Sequence, residues 1–336
     1  MKKLIILIAL WVAFQFVICA VGKAQVDPHF SQYYAYPLWL NPAMTGAIDG
    51  DYRVSANYRN QWGNISNPFS TIGISADMVT NKSLNFGVNL LNQSAGDGGY
   101  NYFNGSASVA YTGLRFGPQG YKHIVFGLQA GAISTRFDPT KLKYGDQWNP
   151  ITGYDPSNPT SEALARTSAT VFDAGAGVMY FDGEPDKVAN LFVGFSASHL
   201  TRPENKFIVG SDAKMPIRWA ANAGVRLDVS DVLKITPNAL YMRQGNAEEK
   251  MVGAYGQIMV SNTTDVLLGG YYRFSDAVVP FAGLHLGNLV LGFSYDANTS
   301  KLGSLSRASN AFEISLSLIG RKARMLPDQF FICPRL

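Results

Sequence analysis

The feature that most constrains this chain is an alternation. In the stretch "AFEISLSL", Phe312, Ile314, Leu316 and Leu318 interleave with Glu313, Ser315 and Ser317. In "LVLGFSYDAN", Leu289, Leu291, Phe293 and Tyr295 interleave with Gly292, Ser294 and Asp296. In "IRWAANAGVRLDV", Ile217, Trp219, Ala221, Ala223, Val225 and Leu227 oppose Arg218, Asn222, Arg226 and Asp228. A period of two with one apolar face means strands. The opposite face carries charges and has no second apolar pattern to pack upon. A barrel lumen accommodates that chemistry, whereas a sandwich core does not.

About fourteen segments repeat the pattern: 51–61, 68–79, 83–92, 101–115, 122–136, 168–182, 188–200, 215–229, 232–244, 247–261, 264–275, 278–287, 288–297 and 309–320. Their lengths suit tilted membrane strands, and an even number suits closure, which removes the edges that lipid cannot satisfy. The connections alternate. Those after even-numbered strands are short, such as "TNK", "DGEPDK" and "NTT". Those after odd-numbered strands are longer, among them "QSAGDGG", "TRPENKFIVGSDAK", "TSKLGSLSRAS" and the whole of 137–167. The short connection "SDAV" near residue 276 breaks the rule. Short turns on one side and long loops on the other place both ends of the mature chain in the periplasm. The 137–167 loop, rich in Pro, Asp and Asn, reads as irregular.

Composition points the same way. Charged residues make up 15% of the chain, while Gly numbers 33 and aromatics reach 12%. Lys2 and Lys3, the apolar run Leu4 to Val21, and the small residues Gly22 and Ala24 read as a secretory signal peptide cut before Gln25. Cys19 does not make a lipoprotein site, because Ile18 precedes it where a small residue is needed. Beyond this leader no apolar run is long enough for a spanning helix. Low charge, export and no spanning helix together indicate an outer-membrane barrel. One cysteine then remains, Cys333, so no internal disulfide forms. The net charge of +4 is scattered and leaves no nucleic-acid footprint.

The expected fold is therefore all-β: an outer-membrane antiparallel β-barrel of about fourteen strands with an N-terminal periplasmic or plug segment. The divisions are a signal peptide (1–24), a plug or strap (25–50), the transmembrane barrel (51–320) and a periplasmic tail (321–336). On the polar faces fall Arg53, Arg59, Asp77, Asp173, Arg218, Arg226, Asp228, Arg273, Asp296 and Glu313, which are expected to pair with one another and hydrate the lumen. Gly87, Gly127, Gly131, Gly175, Gly177, Gly253 and Phe281 also face inward and, apart from the ring, leave room. The segment "DPHFSQYYAYPLWLNPAMTG", 27–46, suits neither a long helix nor a long strand. Its rings (Phe30, Tyr33, Tyr34, Tyr36 and Trp39) argue against a disordered leader. Its prolines (Pro28, Pro37 and Pro42) lower the entropy lost on ordering. It reads as a plug or docked strap.

No catalytic chemistry stands out. There is no G-x-S-x-G elbow, no H-E-x-x-H and no C-x-x-C. His29, His123, His199 and His285 lie at no ligand spacing, and "DGDY" at 49–52 lacks the remaining ligands of a calcium loop and reads as the turn into the first strand. No cofactor, metal or catalytic site is expected.

The opening segment, followed by "YRVSANYRNQW", resembles the start of the PorP/SprF family of type IX secretion system outer-membrane proteins. The matching residues are D-P-x-F-S-Q-Y (Asp27, Pro28, Phe30, Ser31, Gln32 and Tyr33), L-N-P-A-x-x-G (Leu40, Asn41, Pro42, Ala43 and Gly46) and the Y-R and Q-W pairs of the first strand. The ending "CPRL" is similar to the family's C-P-R-[FL] tail, with Leu336 where many members have Phe. "SASHL" (196–200) and "YYRF" (271–274) resemble family patterns more weakly. The resemblance implies a non-catalytic barrel of the secretion and gliding machinery. Such a barrel would partner, secrete or anchor a secreted adhesin-type protein and couple it to periplasmic components, in contact with membrane lipid. The family has no fixed catalytic residues.

Two other functions share this architecture. A plugged fourteen-strand barrel also suits an outer-membrane transporter of hydrophobic small molecules, and a general porin would need a more open, charged lumen. In the tail, "RKARMLPDQFFICPRL", Phe330, Phe331 and Ile332 form an apolar patch too short to span a membrane. With Cys333, Pro334 and Arg335 it is expected to dock a periplasmic partner. An arginine at Ser294 is expected to be tolerated far better than one at lipid-facing Leu291.

Overall fold

The computed structural model describes residues 27–63, 68–80, 82–96, 99–158, 160, 166–185, 187–204, 214–300 and 310–321. The leader 1–24, Gln25 and Val26, and the tail beyond Arg321, with Phe330, Phe331, Cys333, Pro334 and Arg335, lie outside them.

The alternating segments become strands. In chain order these are β1 (Tyr52–Gln61), β2 (Phe69–Met78), β3 (Leu84–Ala95), β4 (Tyr100–Phe116) and β5 (Lys122–Arg136). Next come β6 (Trp148–Asn149), β7 (Gly153–Tyr154), β8 (Ser168–Asp182), β9 (Ala189–Ser198), β10 (Arg218–Ser230) and β11 (Leu233–Gln244). The last are β12 (Ala247–Ser261), β13 (Thr264–Arg273), β14 (Ala277–Leu286), β15 (Leu289–Asn298) and β16 (Ala311–Gly320). All but β6 and β7 form one closed antiparallel barrel of fourteen strands, with β1 paired to both β2 and β16. The fourteen strands expected from the alternation all form.

The 137–167 loop departs from expectation. β6 and β7 pair as a small hairpin beside the 3-10 turns Pro139–Lys141 and Gly145–Gln147. Local turn chemistry explains the hairpin: the Asn149 carboxamide accepts the Ile151 N–H at 2.8 Å, and Gly153 takes a φ of 82°.

The barrel wall is apolar outside and polar inside. On β3, Phe86, Val88 and Leu90 are exposed while Asn85 and Asn89 are buried. Outward ring pairs stand near both rims, Phe116 with Tyr180 at one and Phe195 with Trp219 at the other, the placement of membrane-interface girdles. On β1, two ion pairs join direct cross-strand partners, Arg53 opposite Asp77 and Arg59 opposite Glu313. A one-residue slip would turn these charges to lipid, so they pin the register around β1. Register shifts on β4, β10 and β12 all fall near the short-turn rim, a common place for bulges.

The apolar core lies within the barrel. Tyr33, Tyr34, Leu40, Ala43 and Met44 pack with Val125, Met179, Phe181, Leu240, Met251, Tyr255 and Phe281 from the wall. Phe30, Tyr36 and Trp39 pack with Leu91, Tyr102 and Ile133. A single curved sheet cannot bury its own inner face, and here residues 27–48 fill it.

Candidate functional site

Residues 27–48 run through the lumen from one mouth to the other. Their local structure is a series of single turns: 3-10 at Tyr33–Ala35, α-helical at Pro37–Leu40 and 3-10 at Pro42–Met44. Pro37 and Pro42 each sit at the start of a turn, where the missing N–H costs nothing. Every residue from Asp27 to Ile48 is buried. Asp27 lies among Gln244, His199 and Arg218 at the long-loop mouth. The chain reaches the short-turn mouth near Asp51, whose N–H bonds the Gly320 carbonyl at 2.9 Å. The segment therefore enters at the long-loop mouth, whereas the expectation placed the start of the mature chain on the short-turn side. Asp27 and Arg321, the first and last described residues, stand at opposite mouths. Local sequence could not reveal this, because Asp27 is placed at the long-loop mouth by Gln244 and His199, 217 and 172 positions away.

Three charge clusters hold the segment. At the long-loop mouth, His199 sits between two carboxylates, with Nε2 2.6 Å from Asp27 and Nδ1 2.8 Å from Asp173. Arg218 approaches Asp27 at 3.2 Å, donates to the Trp39 carbonyl at 2.8 Å and stacks 4.3 Å above the Trp39 ring. Burial pushes the Asp27 carboxyl up, but His199 and Arg218 outweigh it and hold it at about 2. Burial pulls the His199 imidazole down, and Asp27 and Asp173 lift it to about 9. The pair is ionised at neutral pH. Both ring nitrogens are engaged by carboxylates, so His199 has no lone pair to offer a nucleophile.

The second cluster grips the S-Q dipeptide. Glu313 accepts the backbone N–H groups of Ser31 at 2.6 Å and Gln32 at 2.9 Å, and it pairs with Arg59. The Ser31 hydroxyl donates to Asp296 at 2.8 Å and accepts from Arg59 and Arg273 at 3.0 Å each. Asp296 also binds both guanidiniums, Arg59 at 2.9 Å. The Gln32 carboxamide donates to Ser294 at 3.0 Å and accepts from Ser315 at 2.7 Å. A serine and a glutamine are needed here, because a small hydroxyl must serve three charged groups and an amide must satisfy a donor and an acceptor. In the third cluster, near the short-turn mouth, Asp77 accepts the Gly46 N–H at 2.7 Å and both Arg53 donors at 2.9 Å, and Arg53 reaches the Met44 carbonyl at 3.2 Å.

Between the clusters, Asn41 donates to the Val178 carbonyl at 3.1 Å and accepts the Ala43 N–H at 2.9 Å. The Ser196 hydroxyl donates to the Leu40 carbonyl at 2.6 Å, and the Tyr33 hydroxyl donates to Asn238 at 2.5 Å. Glycine makes room: a β-carbon on Gly127 would come within 2.2 Å of the Ala43 nitrogen, and one on Gly177 within 2.0 Å of the Asn41 side chain. Gly87 likewise faces Leu38 and Thr45, and Phe281 packs edge-on against Tyr34. Gly131, Gly175 and Gly253 are crowded instead by the wall itself.

Eight of the ten charges assigned to the lumen thus converge on the segment. Arg226 and Asp228 do not; they pair with each other at 3.3 Å toward the short-turn rim, with Lys234 on Asp228. Pro28, Phe30 and Pro42 touch the site through packing and backbone, with the Pro28 carbonyl accepting from Trp39 at 3.0 Å. Sequence reasoning missed Gln244, Asn238, Ser196 and Glu249, and named His199 only among the histidines at no ligand spacing. A signal existed for two of these. "SASHL" supplies Ser196 and His199, and "YYRF" supplies Arg273. At the long-loop mouth, Asp27, Pro28 and His29 floor a cavity of about 820 Å³ whose walls include Arg59, Arg218, Arg273, Glu248 and Glu249.

The comparisons agree with this architecture. The profile of the family described as "Type IX secretion system membrane protein PorP/SprF" matches residues 22–318. No curated protein matches the chain. Among solved structures, the Ralstonia pickettii toluene transporter TbuX is similar with a TM-score of 0.52 at 10% identity, over 84% of this chain and 93% of that one. A Pseudomonas aeruginosa FadL homologue aligns with a TM-score of 0.49 at 12% identity, over 89% of this chain and 95% of that one. The likeness to TbuX shows the fold, an outer-membrane barrel; the matching profile shows the lineage. This chain belongs to the PorP/SprF family of type IX secretion system membrane proteins.

Proposed function

We propose that the barrel is the outer-membrane partner of a secreted adhesin-type surface protein, which it secretes or anchors, with residues 27–48 acting as a plug. The observation that carries this reading is the three-cluster grip on a segment that fills the lumen. A barrel built this way offers no path to bulk solute. It offers two mouths instead. The long-loop cavity would receive the surface protein, and the short-turn side would meet the periplasmic components. The tail 321–336, through Phe330, Phe331, Cys333, Pro334 and Arg335, would dock those components.

Affinity capture from solubilised envelopes tests the reading. A large secreted adhesin is expected to co-purify with periplasmic machinery. Deleting 325–336 should leave a folded, heat-modifiable barrel that loses the periplasmic components. If the truncated barrel still captures both, the tail has no docking role; if the full chain captures neither, the partner reading fails. The alternative, a transporter of hydrophobic small molecules, requires an apolar cavity of ligand size. The apolar gap beside Tyr34, walled by Tyr255, Leu267, Phe281 and Val290, measures about 20 Å³, room for little more than one water.

A further inference from the structure

The outer wall carries a local departure from its apolar chemistry. Along β10 to β13 the outward positions are uncharged except near the long-loop rim, where Arg243 on β11 and Glu248 and Lys250 on β12 face outward. Aromatic rings surround them. Trp219 stands opposite Arg243, and Tyr241 stands opposite Lys250. The Lys250 ammonium lies 6.0 Å from the centroid of the Tyr241 ring and 3.4 Å from Glu248. Tyr272 and Phe274 make an edge-on pair at 5.0 Å, and the Phe274 N–H bonds the Lys250 carbonyl at 2.9 Å.

Depth decides what this patch can meet. Below it the outward residues are Ala239, Pro237, Ile235 and Leu233 on β11 and Val252, Ala254, Gly256 and Ile258 on β12. From Tyr241 to Leu233, at about 3.4 Å per residue and a tilt of about 40°, is roughly 20 Å, close to the height of an apolar band of about 25 Å. Tyr241 therefore marks the edge of the hydrocarbon, the level at which interfacial aromatics sit. Arg243 and Lys250 stand at or just past that edge, among lipid headgroups. Two cations against one carboxylate leave net positive charge there. A guanidinium offers paired N–H donors to phosphate oxygens, and an ammonium adds a point charge.

We propose that Arg243 and Lys250 bind the phosphate of an anionic lipid headgroup in the leaflet on the long-loop side, with Glu248 offsetting one of their two charges. Arg243, Glu248 and Lys250 also border the rim of the long-loop cavity, but lipid binding on their outward side does not require the secretion partner. The test is native mass spectrometry of the full chain released from vesicles of equal parts phosphatidylglycerol and phosphatidylcholine. The wild-type barrel is expected to retain phosphatidylglycerol preferentially, by about fivefold per basic side chain. R243Q/K250Q should lose that preference while remaining heat-modifiable, and E248Q should strengthen it. An unchanged preference in R243Q/K250Q, or none in the wild type, overturns the proposal. Displacement of the bound lipid by millimolar inorganic phosphate, with phosphate retained in its place, assigns the pair to soluble phosphates and overturns the lipid assignment.

Discussion

At His199 the backbone and the charge network meet. Its φ of 60° is left-handed, which costs a residue other than glycine roughly 1–2 kcal/mol. Carboxylates on both ring nitrogens offset that cost. The linkage signs follow from the shifts. The stability His199 adds is full below its unfolded value of about 6.5 and is lost as pH rises through about 9. The stability Asp27 adds is full above about 3.9 and is lost as pH falls through about 2. Asp173 and Arg218 face the pair and complete the cluster. Hydrogen-exchange protection of residues 27–30 is therefore expected to fall between about pH 6.5 and pH 9, and H199Q should abolish that dependence. A flat wild-type profile would sink the idea. At the second cluster, Arg59→Met leaves Glu313 buried without its main cation, a loss of about 3–5 kcal/mol in denaturant unfolding. R59M/E313L should recover part of it, whereas simple additivity of the two single changes would show that they do not interact.

Among the elements, the lumen segment and the strands obey different rules. A strand tolerates change on its lumen face only where the lumen is open. Ser294 was expected to accept arginine, but it is fully buried against Gln32. S294R is now expected to dislodge the segment. L291R should cost about 2–4 kcal/mol through lipid exposure alone. The two are distinguishable: proteolysis should release 27–48 in folded S294R and leave it protected in L291R. G127A tests the same fit sterically, since its new methyl meets the backbone between Pro42 and Ala43. It should lower exchange protection across 40–44. G145A, whose methyl meets nothing within 4 Å, should leave it unchanged.

For the whole molecule, membrane orientation follows from the connections. Asn149 lies exposed in the long 137–167 loop, and Asn262 lies exposed in the turn between β12 and β13. With long loops outward, N149C on whole cells should react with an impermeant maleimide and N262C should not. The reverse pattern would invert the topology, and with it the side on which the 820 Å³ cavity receives a partner. In its secretion system the chain would then present the short turns to the cell surface.

What the sequence determined by itself was everything with a local cause. Alternation is written between neighbouring residues, so the strand number, the inward charges and the lipid face were legible in stretches such as "AFEISLSL". The prolines and rings of 27–46 likewise announced an ordered segment. The tertiary structure alone decided which groups meet. Ser31 finds Glu313 across 282 positions and Asp27 finds His199 across 172, and no periodicity encodes such a pairing. It follows from closing fourteen strands into one register and threading a polar, aromatic chain through the result. The direction of that threading, from Asp27 at the long-loop mouth to Asp51 at the other, was invisible for the same reason. Each residue of the segment suits a lumen in either direction, and only the placed charges of the wall choose between them.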